Sequence, residues 1–241
     1  MWRVIPFFVL LLTGCVSSWD IPSDWTYRVV SANGYNIATY SDISDTASPI
    51  HIYIEGDGNS FDAYGRPTSN PTPTGTLVRD LAARDISPNV VYMARPCQFV
   101  NSLLCSEKDW TDGRFSAQIV DAMALVITNI AQNRPVVLIG YSGGAMISGL
   151  IIHRHPELNV QKWITVAGVL NHSDWTSYFG DVPLIHSLDM NTLPHVRQSH
   201  YIALGDRVVP NELSRRWVGA HDLHVLTDAT HSHFPRIDLN F

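Results

Sequence analysis

Ser142 is the residue whose surroundings most strongly suggest chemistry. It lies in "VVLIGYSGGAMISGLII", residues 136–152, where an apolar, β-branched run meets a serine with glycine two places before it and at both places after it. A serine hydroxyl is a weak nucleophile alone. It becomes an effective one when a histidine can take its proton and a carboxylate can hold that histidine. The competing reading is a small residue demanded by a tight turn. Two histidine pairs, His153/His155 and His221/His224, have spacings that could suggest zinc. No third ligand follows either pair at a suitable distance, so no metal and no other cofactor is expected.

A nucleophile needs a scaffold. "WTYRVVSA" and "YNIATYS" flank Asn33-Gly34, the chemistry of a tight hairpin turn. "IHIYIEG", "NVVYMARP", "PVVLIGY", "KWITVAG", "HYIALG" and "LHVLTDA" read as further strands. Between them, "TLVRDLAARD", "RFSAQIVDAMALVITNIAQ", "GGAMISGLIIHRH" and "NELSRRWVGA" have helical spacing, and a short C-terminal helix is expected last. Antiparallel strands followed by repeated strand–helix units imply an α/β fold: a mostly parallel central sheet with an N-terminal antiparallel hairpin and helices on both faces. Ligands in such sheets bind at the carboxyl ends of the strands.

Gly140-Tyr141-Ser142-Gly143-Gly144 matches G-x-S-x-G between a predicted strand and a predicted helix. On this motif and context, residues 26–241 resemble the α/β-hydrolase superfamily. The resemblance implies partners in the order serine, acid, histidine. Asp206, directly after "HYIALG", stands at the acid position, with Asp174 in "NHSDWT" as the reserve. The histidine is expected after "LHVLTDA", where His231 and His233 compete; His231 is favoured because it follows the strand soonest. The resemblance also implies oxyanion donors from the backbone N–H groups of Gly143 and of Asp57, in "EGDG" after the third strand. Glu55 stands where many members of the superfamily have histidine, which weakens the transfer of any lipase or esterase subclass.

Residues 1–14, with Arg3 ahead of a short apolar core, have the layout of a secretory signal. Leu12-Thr13-Gly14-Cys15 resembles the lipobox of bacterial lipoproteins, which implies cleavage before Cys15 and lipidation of its thiol. Because Val16 rather than Asp follows, the same resemblance implies the outer membrane, with the protein facing the periplasm, residues 15–25 as a lipidated tether and 26–241 as the folded domain. In that oxidising compartment Cys97 and Cys105 are expected to form a disulfide.

The chain has 241 residues, 45% of them hydrophobic and 16% charged, enough for one sizeable core. A net charge of -6 and no run of Lys or Arg argue against a nucleic-acid partner. Only about thirty residues separate "TVAG" from "HYIALGD", too few for a large cap domain. Residues 59–73, with Phe61, Tyr64 and several prolines, are a candidate cleft wall. The tryptophans of "CSEKDWTDGRFS" and "NHSDWTSYF" stack on a ligand or pack a loop; Arg95 and Arg114 bind a carboxylate or pair with a nearby Asp. The expected activity is serine hydrolysis of a carboxylic ester or thioester of a small or lipid-like molecule by a monomer tethered to a membrane. An acyltransferase, a peptidase or a non-catalytic binding lipoprotein are the alternatives.

Overall fold

Strands β3 (Ile50–Ile54) and β4 (Asn89–Met93) are buried at every position, and β5 (Val136–Tyr141) at all but its last. Strands this rich in Ile, Val and other large apolar residues require cover on both faces of a sheet, and here they receive it. The computed structural model describes residues 21–220, 222–235 and 237. Ile50, Ile52 and Ile54 join helices α2 (Ala117–Ala131) and α3 (Gly143–Arg154) in one core. On the opposite face Tyr53, Val137 and Ile139 pack with Val78 and Leu81 of helix α1 (Leu77–Ala83) and with Phe234. The period of two along each strand produces this division.

Strands β1 (Thr26–Ala32) and β2 (Tyr35–Ile43) form the antiparallel hairpin. Its turn places Asn33 and Gly34 at φ 48° and 85°, both left-handed, as a turn compatible with the twist of the strands requires. The sheet continues through β6 (Val160–Val166), β7 (Arg197–Ala203) and β8 (Leu223–Leu226) in the order β1-β2-β4-β3-β5-β6-β7-β8. β2 joins β4 antiparallel, and β3 to β8 are mutually parallel. Helices α4 (His172–Phe179) and α5 (Asn211–Trp217) and a 3-10 turn at Glu107–Trp110 complete the described elements, and no large cap is present among the described residues.

Two details differ from the sequence reading. "HSDWTSYF" is a helix, α4, whose Asn171 side chain accepts from the Asp174 N–H and whose C-terminal glycine, Gly180, is left-handed at φ 70°. The short C-terminal helix is absent among the described residues: after β8 the chain makes turns, closed by a two-way backbone pairing of Thr230 with His233. Cys97 and Cys105 are joined by a disulfide across the loop after β4. Cys15 and the preceding residues lie outside the described residues. No described helix is long and apolar enough to cross a membrane.

Candidate active site

Ser142 sits between the end of β5 and the first turn of α3 with φ 50° and ψ -121°. A non-glycine residue in this region is held there by its neighbours at a cost of about 1–3 kcal/mol. The hydrogen bonds that hold it are Ser142 N–H to the Val166 carbonyl (3.0 Å), and Ala145 and Val169 N–H to the Ser142 carbonyl (3.1 and 3.0 Å). Glycine is required on either side because backbone approaches backbone. A Cβ at Gly140 would lie 2.6 Å from Ala145 Cα, and one at Gly144 would lie 2.6 Å from the Glu55 carbonyl oxygen. The turn therefore lifts the serine above the sheet at the head of α3, where the helix dipole favours negative charge.

His231 occupies the Thr230–His233 turn just beyond β8. Its Nδ1 lies 2.9 Å from Asp206 Oδ2, while Asp206 Oδ1 accepts from the Val208 and Val209 N–H groups at 2.8 and 2.9 Å. The Asp206 side chain is buried and that of His231 is 16% exposed, so the imidazole reaches the cleft while its carboxylate partner does not. Tyr141, one residue before the serine, donates its hydroxyl to the His231 carbonyl at 2.8 Å. Burial, and then the charges of Glu55, Asp206 and Asp57, push the Tyr141 pKa upward, which keeps this donor protonated. Sequence reasoning missed Tyr141, although its place inside the glycine motif was a usable signal.

The two rivals are placed differently. Asp174 Oδ2 accepts from Trp217 Nε1 at 2.9 Å, and its backbone belongs to the α4 cap, so the reserve acid is not brought to His231. His233 lines the cleft and is exposed, but its ring has no carboxylate partner among the described residues.

The "EGDG" turn after β3 lies directly against Ser142. A Cβ on Gly56 would come within 3.2 Å of Ser142 Cβ, and one on Gly143 would meet Asp57 Oδ1. Among the described residues neither the Asp57 N–H nor the Gly143 N–H meets an acceptor, so both are available to a ligand oxygen. Glu55 points away from oxyanion duty: Oε2 accepts from Tyr92 Oη (2.8 Å) and Oε1 from the Gly56 N–H (3.0 Å). Burial raises its pKa against those hydrogen bonds and the charges of Arg79 and Arg95.

The Asp57 side chain belongs to a different arrangement. Its Oδ1 accepts from Arg95 Nη1 in a short ion pair, and its Oδ2 lies 3.4 Å from Arg114 Nε. Arg95 also donates to the Arg114 carbonyl and is stacked over Phe115. Burial pulls its pKa below the usual arginine value, opposed by Asp57. Gln98 ties this wall to the turn: Nε2 donates to the Gly56 carbonyl at 2.9 Å and Oε1 accepts from the Arg95 N–H at 3.0 Å.

Ser142, His231, His233, Asp57 and Arg114 line one open cleft of about 690 Å³. The segment from Gly58 to Phe61 and residues 73–77 form part of its wall, so the Asn59–Pro73 loop contributes at its two ends. Of the two tryptophans, Trp175 lines the cleft and Trp110 packs a loop, donating to the Thr68 carbonyl at 3.0 Å. The cleft lies at the carboxyl ends of β3, β5, β7 and β8, where an open parallel sheet holds its ligands.

No protein-family model matches the chain, and no curated protein sequence matches it significantly. Solved structures do match. A serine hydrolase homologue from Coxiella burnetii superposes with TM-score 0.57 at 15% identity, covering 89% of this chain and 92% of the other. An α/β serine hydrolase without a lid from Xanthomonas campestris gives 0.54 at 14% identity, covering 87% of each chain. The chain has the α/β-hydrolase fold. Mouse α/β-hydrolase domain-containing protein 10 shares it at TM-score 0.55 and 13% identity, over 86% of this chain and 90% of that one. Within this α/β-hydrolase fold the elbow at Ser142 and the loops after β7 and β8 face one another across the cleft.

Proposed function

We propose that the protein is a serine hydrolase that cleaves a carboxylic ester or thioester through an acyl-enzyme on Ser142. The observation that carries this reading is the convergence on one cleft of a serine held at positive φ at a helix head and a histidine held by a buried carboxylate. In the first step His231 takes the Ser142 hydroxyl proton as Oγ bonds to the acyl carbon. Asp206 keeps Nδ1 protonated and stabilises the imidazolium. The negative charge that develops on the former carbonyl oxygen is met by the Gly143 and Asp57 N–H groups. His231 then returns the proton to the departing alcohol or thiol. Water attacks the acyl-enzyme by the same route, releasing the acid and restoring Ser142.

The resemblance of Leu12–Cys15 to a lipobox supports a lipid anchor in the cell envelope as part of this proposal. The mass of the N-terminal peptide from membrane-extracted protein tests it: a multiply acylated Cys15 is expected, and an unmodified cysteine contradicts the anchor.

The activity is tested with p-nitrophenyl esters, matched thioesters and matched anilides, with intact mass read during turnover. Ester and thioester cleavage with a transient acyl mass on Ser142 is expected. Preferential anilide cleavage would make the protein a peptidase, and no turnover of any substrate would favour a binding protein that keeps the fold.

A further inference from the structure

Arg114 is only 4% exposed, yet its guanidinium lines the cleft with Ser142 and His231. Phe61, Phe115 and Trp175 frame it, with ring centroids 5.6, 5.7 and 5.8 Å from Cζ. Its Nε has no hydrogen-bond partner among the described residues. Among the described residues the carboxylate paired with it is Asp57, which stands 3.4 Å from Nε outside hydrogen-bonding geometry and gives its other oxygen to Arg95. One carboxylate is thus shared by two guanidiniums.

The second buried acid of this wall, Glu55, is engaged by Tyr92 and Gly56, and a third buried guanidinium, Arg79, stands on the same side. Arg95 donates to Asp57 and to the Arg114 carbonyl, and Arg79 donates to the Gly75 carbonyl at 2.8 Å, and neither lines the cleft. Of these three arginines, Arg114 is the one that lines the cleft. A buried charge without a full partner is costly, and a ligand anion that completes its hydrogen bonds removes that cost. The planar guanidinium fork fits a carboxylate in two-point contact, and its aromatic frame withholds competing water.

We propose that Arg114 binds a carboxylate carried by the substrate, so that the preferred esters are monoanionic, such as half-esters of dicarboxylic acids. Its consequence for turnover rests on the serine hydrolase reading; its consequence for binding does not. A carboxylate is the group assigned because it is planar, as the guanidinium fork is, and meets it in two-point contact.

The test has two arms. In the first, Ser142→Ala is titrated with glutaramic acid and with its neutral isostere glutaramide. The acid is expected to bind about 10- to 100-fold more tightly, the range of a charge-assisted hydrogen-bonded pair. That preference should vanish in Ser142→Ala/Arg114→Gln and survive in part in Ser142→Ala/Arg114→Lys, which keeps the charge but loses the fork. Circular dichroism establishes that each variant is folded, and the Lys variant keeps the test open if Gln does not fold. In the second arm, kcat/KM is compared for p-nitrophenyl hemiglutarate and for p-nitrophenyl 4-carbamoylbutanoate, and the ratio should fall by the same factor in Arg114→Gln. Equal binding of acid and amide, an unchanged preference in folded Arg114→Gln, or inorganic phosphate binding as tightly as glutaramic acid overturns the proposal. Selective binding of the acid with neither ester hydrolysed upholds the carboxylate site and removes the hydrolase reading instead.

Discussion

The two walls of the cleft hold charge in opposite ways. On the wall built after β7 and β8, one buried carboxylate, Asp206, serves one histidine, and its second oxygen is filled by two backbone N–H groups. On the wall built after β3 and β4, one carboxylate, Asp57, serves two arginines. Imidazole can gain and lose a proton near neutral pH, so the first wall can move protons. Guanidinium stays charged, so the second can only attract and position. On the proposed function the first wall would carry the proton transfers and the arginines of the second would position the substrate, with Ser142 at the head of α3 facing both.

The largest expected effect falls on the first wall. Ser142→Ala, His231→Ala and Asp206→Asn should each lower kcat by a factor on the order of 10^4 or more. His233→Ala should leave most of the rate, as expected of a histidine with no carboxylate behind it. Steady-state kinetics on the best ester checks all four, and a loss with His233→Ala equal to that with His231→Ala would erase the distinction between them.

The second wall should fail through stability. Asp57→Asn leaves two buried guanidiniums without their carboxylate, which should cost about 3–5 kcal/mol in denaturant unfolding. If Asp57→Asn were instead well folded and merely slow, the arginine wall would belong to catalysis and the comparison would break.

A third histidine sharpens the contrast. His200 is fully buried on β7, with ring nitrogens 2.8 Å from Thr165 Oγ1 and 2.9 Å from Gln198 Oε1. Burial drives its pKa down to about 4. The unfolded chain therefore binds a proton that the folded one does not, and stability falls as pH drops from 6.5 towards 4. That loss is on the order of 3 kcal/mol. In urea unfolding at a series of pH values, wild type should show this component and His200→Gln should lack it. Parallel pH profiles would refute it.

The smallest effect concerns the loop behind Arg95. The disulfide closes eight residues of sequence separation between Cys97 and Cys105, and the double Ser variant should lose about 2–3 kcal/mol. Fluorophosphonate labelling of Ser142 should persist in that variant, because the loop braces the arginine wall through Gln98 and leaves the His231 wall alone.

What could be read from the sequence followed the range of the interactions. The elbow was legible because the glycines around Ser142 are sequence neighbours and the constraint on them is local. Asp206 and His231 are expected from their places after strands with Asp174 in reserve, whereas the Asp206–His231 contact and the turn of Asp174 to Trp217 span 25 and 43 residues and have no local signature. The arginine wall was legible only as a pair of alternatives. Asp57 meets Arg95 across 38 residues, and Arg95 reaches the Arg114 carbonyl across 19, so the sharing of one carboxylate has no local signature. Helix α4 is faint in the sequence because Ser, Asp and Thr favour turns, although Asn171 and Gly180 mark its two ends.

The central claim is that Ser142 is an activated nucleophile whose base is His231. It is tested most directly by treating the protein with a fluorophosphonate and reading adduct mass and labelled peptide in wild type, His231→Ala and His233→Ala. One adduct per chain on Ser142, lost in His231→Ala and kept in His233→Ala, is the predicted result. A folded, disulfide-intact wild type that takes no label, or takes it on another residue, would contradict it.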